Sequence, residues 1–215
     1  MTKIKAIIFD LDGTLANTLP LCIKAFRKSV EPLIGRSLSD AEIIATFGPS
    51  EEGTIMALAP QHYDDGISAY LQHYEALHEM CPLPFAGMKE LLGELKSKGV
   101  RISMVTGKGV HSTALSLKHL DLSGFFEVIE TGSSKGARKA EGLQNILNSL
   151  HDVQREEVIY VGDAPSDIIA CRKVGLQIAA AAWAETADPE ELSALAPDQL
   201  FYTVHDFAIW ITKRT

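Results

Sequence analysis

Apolar positions along this chain follow two different periods. Ile4-Lys5-Ala6-Ile7-Ile8-Phe9 is a short, β-branched run, the composition of a buried strand. From Pro20 to about Met80 only helical spacing appears. Leu21, Ala25, Phe26 and Ile34 fall on one face of a first helix, and Ser39-Asp40-Ala41-Glu42 is a capping-box start for a second. Ser50-Glu51-Glu52 opens a third, and Ile67, Tyr70, Leu71, Tyr74 and Leu77 stripe a fourth. Cys81-Pro82-Leu83-Pro84-Phe85-Ala86-Gly87 reads as a linker. From Met88 onward the periods alternate: a helix to Lys98, a strand from Val100, a helix over 110–120 and a strand over 125–129. A helix with Leu143, Ile146, Leu147 and Leu150 follows, then a strand from Val158, a helix over 164–174 and a short strand over 176–180. This βα repeat predicts an α/β fold, a doubly wound parallel sheet with helices on both faces. Its core comprises residues 1–15 and 82–215, and residues 16–81 form an inserted helical unit.

Chemistry is concentrated where the apolar runs stop. The first run ends in Asp10-Leu11-Asp12-Gly13-Thr14. In an extended chain residues two apart share a side, so both carboxylates can face one point. Two such charges about 4 Å apart repel by roughly 4 kcal/mol at an effective dielectric near 20. Their juxtaposition implies a cation, a shared proton or a reaction. An acidic turn built from common turn residues is the plain alternative.

Three later strand ends add to this. Val100 to Val105 runs into Thr106-Gly107-Lys108, ahead of a helix from Val110, where unpaired backbone N–H groups can hold an anion. Val158-Ile159-Tyr160-Val161 runs into Gly162-Asp163-Ala164-Pro165-Ser166-Asp167, with the proline in the first helical turn. A basic, glycine-rich approach carries Lys135 and Lys139 into the helix of Leu143. Right-handed crossovers bring all four strand ends to one edge of the sheet.

Together these segments resemble the haloacid dehalogenase superfamily of aspartate-nucleophile phosphohydrolases. The correspondence is D-x-D-G-T at Asp10 to Thr14, a threonine at Thr106, a lysine at Lys139 and G-D-x-x-x-D from Gly162 to Asp167. Lys139 suits the family lysine better than Lys135, although Ala140 and Gly142 replace the prolines that often follow it. Asn17 stands where many relatives carry an acid. The resemblance implies a Rossmann-like core closed by an α-helical cap, phosphoglycolate phosphatase- and pyrophosphatase-like in type. It makes Asp10 the nucleophile and Asp12 the general acid and base, with Thr106, Gly107 and Lys139 on the phosphate. The all-oxygen set of Asp10, Asp12 (through its carbonyl), Asp163 and Asp167 suits Mg²⁺, with Asp167 orienting a bound water or Lys139. The cap loop Phe47-Gly48-Pro49-Ser50-Glu51 is the expected specificity element, with Pro49, Ser50 and Glu51 its contacts. A sugar phosphomutase is the nearest enzymatic alternative, and a catalytically silent binding relative a remoter one. Asp12 argues against a dehalogenase.

Composition narrows the partners. The 215 residues carry a net charge of −8, which opposes non-specific binding to nucleic acid and to anionic membranes. No stretch approaches the ~18 apolar residues of a membrane span. Cys22, Cys81 and Cys171 are odd in number and unclustered, so a reducing, cytoplasmic setting is expected. Cys22 and Cys171 read as small buried hydrophobes, and His73 and His78 as solvated residues of the fourth helix. The expected partner is a small phosphorylated metabolite, with the protein a monomer or homodimer.

Overall fold

The computed structural model describes residues 2–215. Its centre is β1 (Ala6–Phe9), every residue of which is buried. β1 lies between β2 (Arg101–Val105) and β4 (Val158–Gly162), parallel to both. β3 (Ile129–Glu130) adds outside β2, and β5 (Gln177–Ala181) and β6 (Gln199–Phe201) add outside β4. The six-stranded order is therefore β3-β2-β1-β4-β5-β6, parallel throughout.

Alternation along β1 divides the core in two. Ile7 and Phe9 pack with Leu91, Leu92 and Leu95 of α5 (Met88–Ser97), and with Phe207 and Ile211 of a C-terminal helix, Val204–Thr212. Ala6 and Ile8 join Leu143 and Ile146 of α7 (Lys139–Ser149), and Ile168 and Cys171 of α8 (Pro165–Val174). Between β1 and β2 come α1 (Leu19–Ile34), α2 (Asp40–Ile44), α3 (Glu51–Leu58) and α4 (Tyr63–Ala76). These four build a separate apolar cluster from Phe26, Ile43, Ile55, Tyr70 and Tyr74. Tyr74 also reaches α6 (Val110–His119), its hydroxyl 2.7 Å from Ser116 Oγ.

Three sequence expectations need correction. The strand expected over 125–129 shrinks to Ile129 and Glu130. Phe125 and Phe126 pack against the core from the sheet margin instead of alternating along it. The C-terminal β6, the helix after it and α9 (Pro189–Ala194) were not foreseen. His78 is neither on α4 nor solvated: it sits in a 3₁₀ turn, 1% exposed, stacked on His119 with ring centroids 4.5 Å apart. Among the described residues no helix is long and apolar enough to cross a membrane.

Candidate active site

The carboxyl ends of β1, β2 and β4 meet at a crevice, where chain order switches from one side of β1 to the other. Asp10 follows β1 directly. Its N–H donates to the Val161 carbonyl at 2.9 Å, and its Oδ1 accepts from the Leu11 N–H at 2.7 Å. The chain then turns at Gly13, where φ is +71° and a Cβ would stand 2.0 Å from Asp163 Oδ2. Only glycine meets both demands. The turn places the Thr14 hydroxyl 2.9 Å from Asp163 Oδ1, as donor. Trp183 fastens it from beyond β5, its Nε1–H donating to the Thr14 carbonyl at 3.0 Å.

Lys139 opens α7 and reaches across the crevice. Its Nζ lies 2.6 Å from Asp10 Oδ2 and also donates to Asp167 Oδ1. Asp167, fully buried, accepts from the Tyr160 hydroxyl at 3.0 Å and from the Ala164 N–H at 2.9 Å. Its lone pairs are thus largely engaged by protein donors. Lys135 is exposed and its backbone N–H donates to Ser133 Oγ at 3.2 Å, so the lysine beside Asp10 is Lys139.

Carboxylate oxygens of Asp10, Asp163 and Asp167 lie within 4.8 Å of one another. Burial, only partly offset by Lys139, pushes Asp10 up to about 6. Burial and then the charge of Asp10 push Asp163 well above the carboxylate range. Burial opposes the charge on Lys139, yet Asp10 and Asp167 hold it above the ordinary lysine value. One lysine serving two buried carboxylates and a half-buried one leaves the cluster short of positive charge. All-oxygen donors in that condition fit a hard divalent cation.

Asp12 faces the other way. Its Oδ1 accepts from the Thr18 hydroxyl, just ahead of α1, and lies 3.4 Å from Lys108 Nζ. Thr106 is buried at the end of β2, and its Oγ1 accepts from the Lys108 N–H at 3.2 Å. Gly107 lines the crevice, a cavity of about 260 Å³ that also holds Asp10, Asp12, Lys139 and Asp163. The N-terminus of α6 is less open than its sequence suggests: the Gly109 N–H donates to Glu51 Oε2 at 2.7 Å. Glu51 comes from α3, so this bond joins the helical layer to the core. Ser50 adds a second tie, its N–H donating to the Ser133 carbonyl at 3.0 Å, while Pro49 is half-buried beside Gly53.

Sequence reasoning gave no role to Lys108, Thr18, Tyr160 or Trp183. Thr18 could have been found, since a hydroxyl preceding a helical stripe is a frequent cap. It is spent on Asp12 instead.

The sequence pattern of the haloacid dehalogenase-like hydrolases matches residues 7–181. The pyrophosphatase PpaX of Bacillus cereus is 30% identical over 183 residues, 84% of this chain and 84% of that one. The PpaX of Anoxybacillus flavithermus is 29% identical over 206 residues, 95% of each chain. A haloacid dehalogenase-like hydrolase of Streptococcus pneumoniae superposes with a TM-score of 0.78 at 26% identity, covering 98% of this chain and 99% of its own.

Proposed function

Because the chain belongs to the haloacid dehalogenase-like hydrolase family, and is a hydrolase on that ground, we propose that it is a Mg²⁺-dependent phosphatase of a small phosphorylated metabolite. The observation that carries this reading is Asp10 on the crevice wall, beside Lys139, Asp163 and Thr106, with Asp12 two residues on. Phosphoryl transfer needs a placed nucleophile and neutralised charge, and these groups supply both.

Asp10 attacks phosphorus, and the bond from phosphorus to the leaving oxygen breaks as the aspartyl-phosphate forms. Asp12 gives its proton to that oxygen. It then takes a proton from the water that cleaves the acyl-phosphate, which regenerates Asp10. Thr106, the Gly107 region and Lys139 hold the phosphate oxygens. Asp10 and Asp163 are the ligands we assign to Mg²⁺, because Asp167 is engaged by Lys139, Tyr160 and Ala164. When bound, the ion offsets the charge of these carboxylates and of the transferred phosphoryl group. Helices α1–α4 act as the lid that excludes water and sets leaving-group preference, in a protein of the cytoplasm. The relatives named pyrophosphatase extend the substrate class to phosphoanhydrides.

The test is phosphate release from a panel of small phosphoesters and pyrophosphate, with Mg²⁺ and with excess chelator. Wild type turns over in Mg²⁺ only, and Asp10→Asn retains no more than a few per cent. Full activity in chelator, or in Asp10→Asn, would overturn the proposal. For the lid, Ser50→Ala and Glu51→Ala alter the ranking of substrates without weakening Mg²⁺ affinity. An unchanged ranking with lower Mg²⁺ affinity would make the loop structural.

A further inference from the structure

Lys139 is shared between two carboxylates. Its Nζ lies 2.6 Å from Asp10 Oδ2 and also donates to Asp167 Oδ1. Asp167 is sealed from water completely, and Asp10 nearly so. A sealed carboxylate with too few donors holds a nearby cation tightly. Left with Lys139 as its main partner, Asp167 would draw the lysine away from Asp10 and from a phosphoryl group carried there.

Tyr160 stands against that. It lies on β4, on the sheet face that packs against α7 and α8, and is fully buried. Its hydroxyl is 3.0 Å from Asp167 Oδ1, the same oxygen that takes Lys139. The Val105 carbonyl is the other acceptor in reach, at 3.5 Å, too long to compete for the proton. Burial, then the charges of Asp10 and Asp167, hold the hydroxyl well above the ordinary tyrosine range, so it stays a donor. Gly162 keeps the approach open: a Cβ there would stand 2.5 Å from Asp167 Oδ2 and 2.6 Å from Tyr160 Cε1. With the Ala164 N–H on Oδ2, the charge of Asp167 is spread over three donors. Two of them are fixed by the sheet and the start of α8; only the lysine is on a flexible stem.

We propose that Tyr160 is a positioning residue for phosphoryl transfer: its hydroxyl holds Asp167 and takes up part of its charge, which leaves Lys139 to serve Asp10 and the phosphate oxygens. Tyr160 is not among the residues that wall the crevice, and it acts through Asp167. When the hydroxyl is removed, Asp167 becomes the stronger acceptor and takes a larger share of the lysine. The loss falls on the transition state, where the charge facing Lys139 is greatest.

The inference rests on the phosphatase reading for its catalytic meaning, but part of its test needs no turnover. Tyr160→Phe keeps the ring and deletes one oxygen. On a phosphoester that wild type hydrolyses, kcat falls about tenfold and KM changes less than about twofold. Calorimetry in Mg²⁺ shows tetrafluoroaluminate, a mimic of the phosphoryl group in transfer, bound about tenfold more weakly, and inorganic phosphate within about twofold of wild type. In an Asp167→Asn background, adding Tyr160→Phe lowers kcat by no more than about a further twofold. With no ligand present, the ¹⁵Nζ resonance of Lys139 shifts in Tyr160→Phe. Unchanged kcat and tetrafluoroaluminate affinity with a lower urea midpoint would make Tyr160 a packing residue and overturn the proposal. So would a tenfold loss that persists beside Asp167→Asn. If Tyr160→Phe fails to fold, the native ring supplies the test: its ¹³Cζ resonance moves on adding Mg²⁺ and tetrafluoroaluminate, and does not move in Asp167→Asn. A resonance that stays still in wild type, or moves equally in both, would overturn the proposal. Wild type that turns over no phosphoester would refute the phosphatase reading, and the Lys139 resonance then decides for or against Tyr160 alone.

Discussion

Replacing Asp10 by asparagine makes this protein more stable when no metal is present. Asp10 is 6% exposed and held up to about 6 in the folded chain, against an ordinary value of 3.8. The sign follows from proton linkage: the unfolded chain loses this proton first as pH rises. Ionisation of Asp10 therefore adds stability to neither state below pH 3.8, and folding is progressively penalised up to about pH 6. Above that window the penalty is on the order of 3 kcal/mol, and at pH 4 most of it is gone. Asparagine has the same shape, no charge to desolvate and no titration. Urea unfolding in excess chelator makes Asp10→Asn more stable than wild type by about 2–3 kcal/mol at pH 7.5, and the difference falls below about 1 kcal/mol at pH 4. The comparison between variants removes carboxylates elsewhere, such as Glu42, which Ser39 and Arg36 hold down at about 2 and which therefore acts in the opposite sense. Added Mg²⁺ then stabilises wild type more than the variant, since only wild type offers the full ligand set. A variant less stable than wild type at pH 7.5 in chelator, or a difference that does not change with pH, would refute the argument that Asp10 is a charge short of compensation.

Asp163→Ala raises the Mg²⁺ concentration needed for half-maximal activity far more than Asp167→Ala, because Asp167 is tied up by protein donors; titrations of both variants read the order directly. Ca²⁺ competes with Mg²⁺ and lowers turnover, since its larger, looser shell misplaces in-line attack, and an inhibition series at fixed Mg²⁺ checks it. Gly13→Ala sets a Cβ against Asp163 Oδ2 at a left-handed φ. It costs more than about 2 kcal/mol in chemical denaturation and abolishes activity. Tyr74→Phe leaves the buried Ser116 hydroxyl without its partner from α4, and lowers stability by about 1–2 kcal/mol in thermal or urea unfolding.

The parallel sheet and its acidic edge were legible because each strand at the site is a compact apolar run ending at an acid, a Gly or a Thr-Gly pair. Two kinds of feature were not. The choice between Lys135 and Lys139 depends on the loop over 131–138, where Arg138 Nη1 donates to the Thr131 carbonyl at 2.9 Å and the Ser133–Gly136 bridge folds the chain back. No periodicity encodes such a loop. Lys108 follows a Thr-Gly turn and has the local sequence of a solvated residue; it is buried only because Cys22 and Tyr74 arrive from α1 and α4. His78 was misjudged for a related reason, its stacking partner being supplied by α6. The missed C-terminal segment did carry a signal. Thr203 caps the last helix by accepting from the Asp206 N–H at 3.0 Å, and Val204, Phe207 and Ile211 lie on its buried face.

The central position of β1 also governs when, during synthesis, the protein acquires its chemistry. Asp10 lies at the end of β1, which is made before the other five strands of its sheet, yet β1 has no edge of its own in the finished sheet. Its partner Arg101 is made about 95 residues after Ala6, and its partner Val158 about 150 residues after. At about 5–20 residues per second, an apolar segment destined for the middle of the molecule waits roughly 8–30 s for its second neighbour. A nascent chain halted between β2 and α7 holds Asp10 and Asp12 but neither Lys139 nor Asp163, and its β1 segment is a target for chaperones and a seed for aggregation. The helices of α1–α4 emerge in that interval and have local contacts to make, so this helical layer is the part of the enzyme able to form before the crevice beside it exists.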